Sequence, residues 1–288
     1  MFKHLTYRVG IVCVALALPV AAHAGSIFLT GHDPDFHATL GGNTAGAINI
    51  NRTAINFITN SAFNPFALAG ANRFLFVESS ISPPAGHTIG KNGIIASGYT
   101  ETTDFVHADA SNLNAELNHL GTTYDAIVVA SDFGGILTSA ELNILNARSA
   151  DIISFLNGGG GLYAMAESNS AAQLTTGSTL FGFLPFIVTS TQLNQSEVGN
   201  TVTAFGASLG LSNSDVNGNA SHNIFNSAAG LNIVDLDSQS HILSIAGRAQ
   251  VTPTGVVPEP ETYAMLLAGL GLLGFMARRR KQDTSTTA

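Results

Sequence analysis

The sequence predicts an α/β fold, a three-layer sandwich in which helices cover both faces of a mostly parallel sheet. Tyr124–Ala130 is the strongest strand candidate, because it is almost wholly apolar, as a strand buried on both faces of a parallel sheet is. A helix follows from Thr138 to Leu156, and Thr138 with Glu141 has the pattern of a capping box. After four glycines, Leu162–Ala166 is the next strand, so the three elements form a right-handed βαβ unit.

The other elements follow from apolar runs and helical spacing on either side of this unit. Strands and helices that alternate in this order predict a flavodoxin-like arrangement of the domain. After residue 180 the pattern becomes less regular. The expected strands are 26–30, 73–77, 186–189, 233–236 and 243–245, and the expected helices are 44–58 and 112–120.

Both ends of the chain predict export. Residues 1–24 carry Lys3 and Arg8 ahead of an apolar run and end in small residues, which is the pattern of a secretory signal peptide removed by signal peptidase. The globular α/β domain then covers residues 25–252, and a separate tail covers residues 253–288.

The tail combines a proline-containing linker and motif (253–262), a short apolar helix (263–277) and a basic end (278–288). At about 1.5 Å per residue the helix spans about 22 Å, which is less than the roughly 30 Å of a bilayer core. Its flanking residues therefore lie among the lipid headgroups, and the basic end marks the cytoplasmic side of the inner membrane. The characteristic residues are Val257, Pro258, Glu259, Pro260, Arg278, Arg279 and Arg280.

This tail resembles the PEP-CTERM sorting signal of Gram-negative bacteria that make exopolysaccharide. The resemblance implies that the precursor stays in the inner membrane until an exosortase, a membrane-embedded transpeptidase-like enzyme, cleaves it near the motif. The product would then reach the cell envelope, the cell surface or the extracellular matrix. The alternative is an ordinary single-pass anchor that is never cut.

The composition of the domain excludes two kinds of chemistry. Cys13 is the only cysteine and lies in the predicted signal peptide, so the mature chain has no thiol and no disulfide. Between residues 25 and 257 only five basic residues stand against sixteen acidic ones. Such an acidic domain does not attract nucleic acid or anionic lipid by charge.

The middle of the chain, residues 26–185, resembles the class I glutamine amidotransferase-like superfamily and, within it, the trehalose-utilisation-protein branch. The resemblance is carried by His32-Asp33, by the strand and turn at 124–135, and by residues 150–168 with their glycine turn. Amidotransferases place a cysteine after a strand like 162–166, where this chain has glutamate and serine. Without that cysteine, thiol-based amide transfer is excluded.

Polar side chains follow three predicted strands at their carboxyl ends, which is where ligands bind in open parallel sheets. We expect these segments to converge on one cleft. The candidate residues are His32, Asp33, Asp35 and His37 after the first strand, Asp132 and Gly134 after the central strand, Glu167 and Ser168 after the next, and His222 from a later loop.

A divalent metal is one hypothesis for this cleft. Imidazole and carboxylate ligands suit zinc or a similar cation, which gives His32, Asp33 and His37 as candidate ligands. The alternative is that Asp33 and Asp35 cap turns around Pro34 and the histidines make ordinary hydrogen bonds. No cofactor is otherwise predicted.

Catalysis is a second hypothesis for the same cleft. Glu167 is a candidate general base beside Ser168, and Ser168, His222 and Asp132 are the candidate members of a serine triad. No Gly-x-Ser-x-Gly elbow supports that triad, and Asp132 has an alternative role as a cap of the turn that follows it.

Taken together, the sequence favours an exported protein of the envelope or matrix that binds exopolysaccharide without turning it over. The competing class is an envelope hydrolase of glycans or esters with a strand-end site, with or without the assistance of a metal. A third class is a catalytically inactive domain that serves as a scaffold.

The sorting hypothesis predicts the effect of changing both motif prolines. Pro258→Ala with Pro260→Ala lets the motif leave the extended conformation that proline imposes, so an uncut precursor should accumulate in the membrane fraction. Immunoblots of membrane and released fractions measure this. Release at the wild-type level would contradict the sorting hypothesis.

Overall fold

The computed structural model describes residues 24–80, 89–132, 136–166, 181–184, 188–192, 197–251 and 268–269. The strands are β1 (Gly25–Thr30), β2 (Arg73–Val77), β3 (Phe105–Ala108), β4 (Tyr124–Val129), β5 (Gly161–Ala164), β6 (Ser190–Gln192), β7 (Thr201–Val202), β8 (Asn223–Phe225), β9 (Asn232–Leu236) and β10 (Ile242–Ala249). The helices are α1 (Pro34–His37), α2 (Thr44–Ile58), α3 (Pro65–Leu68), α4 (Ile89–Ala96), α5 (Leu113–Glu116), α6 (Ser139–Ala147), α7 (Ser149–Asn157) and α8 (Ala204–Leu209).

The strands form one mixed sheet that curls, in the order β3-β2-β4-β5-β1-β10-β8-β6, with β9 on β10 and β7 on β9. The pairings from β3 to β1 are parallel, and those beyond β1 are antiparallel. The α/β class is therefore confirmed, whereas the parallel pairing covers only one half of the sheet.

The strand order corrects the flavodoxin-like expectation. The flavodoxin order is 2-1-3-4-5, with the first strand inside the parallel block. Here β1 is the last strand of the parallel block. On its other side it pairs over six residues with β10, which runs antiparallel to it. The chain beyond residue 180, whose pattern is least regular, supplies this second half of the sheet.

Helices cover both faces of the parallel half, as the three-layer prediction requires. Alternate residues of β4 face opposite sides, with Ile127 and Val129 in one apolar core and Ala126 and Val128 in the other. The first core is closed by α5, α6 and α7, and the second by α2 and α4.

The local predictions differ in their accuracy. The bounds of α2 and β2 agree with the sequence, and the capping box of Thr138 and Glu141 at the start of α6 is confirmed. The single helix expected from Thr138 to Leu156 is two helices, because Arg148 between them has non-helical backbone angles of φ −98° and ψ 17°. The strand expected at 186–189 lies partly outside the described residues.

The predicted signal peptide and sorting tail lie almost entirely outside the described residues. Within the ranges given above, no helix is long and apolar enough to cross a membrane.

The close packing of α4 on α1 generates a stability prediction. Alanine usually stabilises a helix relative to glycine by about 0.5–1 kcal/mol. At Gly93, however, a Cβ would lie 1.7 Å from the backbone oxygen of Asp35. Gly93→Ala should therefore lower the free energy of unfolding by about 1–3 kcal/mol in denaturant titrations. The exposed neighbour Asn92→Ala is the control, and a stabilised Gly93→Ala would contradict the packing.

Candidate functional site

The carboxyl ends of β1, β5 and β4 meet through backbone hydrogen bonds. The Ala166 N–H donates to the His32 oxygen over 3.1 Å, and the Asp132 N–H donates to the Ala166 oxygen over 2.9 Å. The Ser131 N–H also donates to Asp35 Oδ2 over 2.8 Å. Most of the predicted side chains are thus brought to one edge of the sheet. We call His32, Asp33, Asp35, His37, Glu78, Asp132 and His222 the strand-end cluster.

His32 is fully engaged within the protein. Its Nε2 lies 2.7 Å from Asp235 Oδ2 on β9, and its Nδ1 lies 2.9 Å from the Ser221 hydroxyl. All three residues are buried. Serine, histidine and aspartate follow one another as in a serine triad. In the triad, however, Nε2 faces the serine and Nδ1 the aspartate, whereas in this protein Nδ1 faces Ser221 and Nε2 faces Asp235.

Asp33 lies between two histidines. Its Oδ1 is 3.4 Å from His37 Nε2, one helical turn away on α1, and its Oδ2 is 3.2 Å from His222 Nε2. Asp33 and His222 are buried, whereas the His37 side chain is 14% exposed. His37 is therefore the member of this trio through which the cluster reaches the surface.

Two further carboxyl groups are buried beside this trio. Burial, with a smaller effect of the neighbouring Asp33 charge, raises the pKa of Asp35 to about 6. Burial also raises the pKa of Glu78 to about 8, although Glu78 accepts the Gly90 and Lys91 N–H groups at the start of α4 over 2.8 and 3.0 Å. Burial at this edge therefore opposes ionisation of Asp35 and Glu78.

Glu78 was absent from the sequence-based candidates. Glu78 follows β2 directly, as the other candidate acids follow their strands. Its position after an apolar strand could therefore have identified it from the sequence. Its backbone oxygen lies 3.0 Å from His107 Nε2, and burial lowers the pKa of that histidine. This contact joins the ends of β2 and β3.

The structure bears on the predicted metal site, whereas three of the other predicted residues lie outside the described part of the chain. In the part of the chain that the structure describes, no group of three His, Cys, Asp or Glu side chains is arranged to hold a metal, and both His32 nitrogens already have partners. Gly134, Glu167 and Ser168 lie outside the described residues. His222, predicted from the sequence as the histidine of a triad with Ser168 and Asp132, contacts Asp33.

Comparison with known proteins identifies the tail. Residues 256–281 match the family described as the PEP-CTERM protein-sorting motif. No curated protein and no solved structure matches the chain. The amidotransferase-like resemblance thus receives no support beyond the curled sheet. The chain carries a sorting motif that exosortase processes, so it is an exported protein sorted to the envelope.

The raised pKa of Glu78 generates a pH prediction. Between its ordinary pKa of 4.5 and about 8, the unfolded chain loses the Glu78 proton while the folded chain keeps it. The free energy of unfolding should therefore fall as pH rises through this range, by on the order of 1 kcal/mol per pH unit.

The variant Glu78→Gln isolates this effect. It removes one acceptor at the start of α4, which lowers stability at low pH, but it cannot ionise and should therefore flatten the decline between pH 6 and 8. Urea titrations at several pH values measure the two slopes. Parallel slopes for the wild type and the variant would contradict the raised pKa.

Proposed function

We propose that the folded domain is a non-enzymatic component of the envelope or extracellular matrix that binds exopolysaccharide at the surface beside the strand-end cluster. The sorting motif supports the location of this function, since it belongs to exported proteins that exosortase processes. The residues of the described domain support the mode of action.

The observation that carries the proposal is the internal pairing of the strand-end groups. Asp33 lies between His37 and His222, and His32 is bound through both ring nitrogens. Groups held in this way fix the loops around them, and a fixed surface loses little conformational entropy on binding. They are poorly placed to act as acids, bases or nucleophiles, which have to reach a substrate.

A rim of amide groups follows His37 in the chain, and His37 Nδ1 lies 3.0 Å from the backbone oxygen of Leu40. The Asn43 N–H donates to Asn219 Oδ1 over 2.6 Å, and the Asn219 side chain donates back to the Asn43 oxygen over 2.8 Å. The Asn43 side chain also donates to the Ser214 oxygen, and Leu40 on the same loop is 47% exposed. Such a surface offers both hydrogen bonds and apolar contact, which are the two interactions that sugar rings make.

The charge of the domain narrows the class of polysaccharide. Sixteen acidic and five basic residues between positions 25 and 257 repel uronic acid or sulfated chains at physiological pH. A neutral polysaccharide avoids this repulsion. We therefore propose neutral glycan chains as the ligand.

A chromatographic experiment tests this proposal. The exported chain is passed over exopolysaccharide from the producing organism, beside a variant with His37→Ala and Leu40→Asp. The variant should bind at least tenfold more weakly, about 1.4 kcal/mol, because it loses a ring and places a charge on the rim. A matched variant with His119→Ala and Leu68→Asp alters exposed residues that are not part of this rim and should bind like the wild type. Equal retention of both variants, or no retention of the wild type, would refute the proposed site.

One observation favours a second candidate function, an envelope hydrolase. Ser221, His32 and Asp235 form a hydrogen-bonded series in the order that esterases use. This candidate predicts turnover of p-nitrophenyl acetate or release of reducing ends from the polysaccharide, lost in Ser221→Ala. Glu167→Ala tests the general base considered from sequence in the same assays. The binding proposal predicts no turnover by the wild type.

A further inference from the structure

The amino-terminal end of the central strand contains a buried acid that the packing of the sheet does not require. In the pairing of β2 with β4, Arg73 lies opposite Tyr124 and Phe74 lies opposite Ala126. Asp125 is therefore the extra residue of a β-bulge, an irregularity that redirects a side chain and is frequent beside functional sites. This end of β4 lies at the edge of the sheet opposite the strand-end cluster.

The Asp125 carboxyl group is buried without full hydrogen bonding. The residue is 3% exposed, and its Oδ1 has no hydrogen-bond partner among the residues that the structure describes. Burial raises its pKa to about 7. A buried acceptor without a partner destabilises the folded state, so an acid at this position calls for an explanation.

Asp125 is one of the residues that line a pocket of about 230 Å³. The volume is below the roughly 300–1,000 Å³ of pockets for drug-sized ligands and suits a single small ring. Its lining combines acceptors, a cationic donor and ring surfaces, contributed among others by Asp125, Asp104, Arg73, Tyr99, Phe74 and Thr59.

The aromatic part of the lining is ordered by its own contacts. The rings of Phe74 and Tyr99 pack edge to face with centroids 5.4 Å apart. Burial raises the pKa of Tyr99 to about 12, so its hydroxyl remains a hydrogen-bond donor at physiological pH. Asp104 Oδ2 accepts the Thr100 N–H over 2.7 Å, which fixes the second carboxylate.

One buried amide fixes the other wall of the pocket. The Asn64 side chain donates to the Asp125 backbone oxygen over 2.7 Å and to the Ile58 oxygen over 3.1 Å. Its Oδ1 accepts the Phe66 N–H over 3.1 Å and so caps α3. The bulge, the end of α2 and the start of α3 are thus held together before any ligand arrives, which lowers the entropic cost of binding.

We propose that this pocket, the amino-edge pocket, binds one neutral monosaccharide unit, with Asp125 accepting hydrogen bonds from ring hydroxyls and Tyr99 and Phe74 contacting the ring face. Arg73 disfavours a cation and supplies a donor to a ring or hydroxyl oxygen. The site is separate from the strand-end cluster, so the inference goes beyond the proposed function and does not depend on it.

Saturation-transfer NMR of the exported chain tests the pocket with the methyl glycosides of glucose, galactose and mannose and with N-acetylglucosamine. At least one should bind, with a Kd on the order of 1 mM, and Asp125→Asn should weaken it at least tenfold. Tyr99→Phe, which removes only a hydroxyl, should also weaken binding. Asp151→Asn alters an exposed acid on α7 and should have no effect.

A second readout follows the carboxyl group itself. The NMR signal of the Asp125 side-chain carboxyl carbon should titrate near pH 7 in the free protein. Its chemical shift should change when a glycoside that binds is added. Failure of all four sugars to bind, or binding that Asp125→Asn and Tyr99→Phe leave unchanged, would overturn the proposal. Neither result decides the proposal that the domain binds exopolysaccharide beside the strand-end cluster, because the column experiment changes residues at the opposite edge of the sheet.

Discussion

The pairing of β1 with β10 is the interaction on which the rest of the structure depends. β1 pairs parallel with β5 on one edge and antiparallel with β10 on the other, and all six of its residues are buried. It therefore joins a parallel block, covered by helices on both faces, to an antiparallel block formed late in the chain. His32 extends this junction beyond the strand, because its ring binds Ser221 and Asp235 of the second block.

The same junction explains the structural role of the strand-end residues. A polar loop that joins two blocks of a sheet has to satisfy its buried donors and acceptors inside the protein. Asp35 accepts the Ser131 N–H, and Glu78 accepts two N–H groups of α4, so each acid fixes a neighbouring element. The cost is visible in the raised pKa values of both acids. Proximity at the carboxyl ends of strands is thus a weaker sign of catalysis when the polar groups bind one another.

The sequence was informative wherever local signals agree with tertiary packing. The bounds of α2 and β2 could be predicted because apolar spacing decides both, and the sorting tail because its residues form a specific motif. The place of β10 beside β1 could not, since pairing between residues 25 and 249 depends on contacts far apart in the chain. Asp125 was hidden for a related reason. A single acid within the apolar run 124–130 is interpreted from sequence as an ordinary strand residue. Only the pairing of β2 with β4 shows that it lies in a bulge.

The two edges of the sheet therefore differ in how their acids are used. At the carboxyl edge, Asp33, Asp35 and Glu78 all have partners in the protein, and the edge is held closed by them. At the amino edge, Asp125 is the extra residue of the bulge and lines a pocket, while Asn64 holds the surrounding backbone in place. A buried acceptor oxygen costs stability unless a ligand supplies its donor. The expected recognition site of an open parallel sheet is its carboxyl edge. In this chain buried acceptors without a hydrogen bond occur at both edges, at Asp33 and at Asp125. Asp33 has ion-pair contacts with two histidines, whereas Asp125 lines the amino-edge pocket, which favours that pocket as a place where a ligand adds contacts that the protein does not provide.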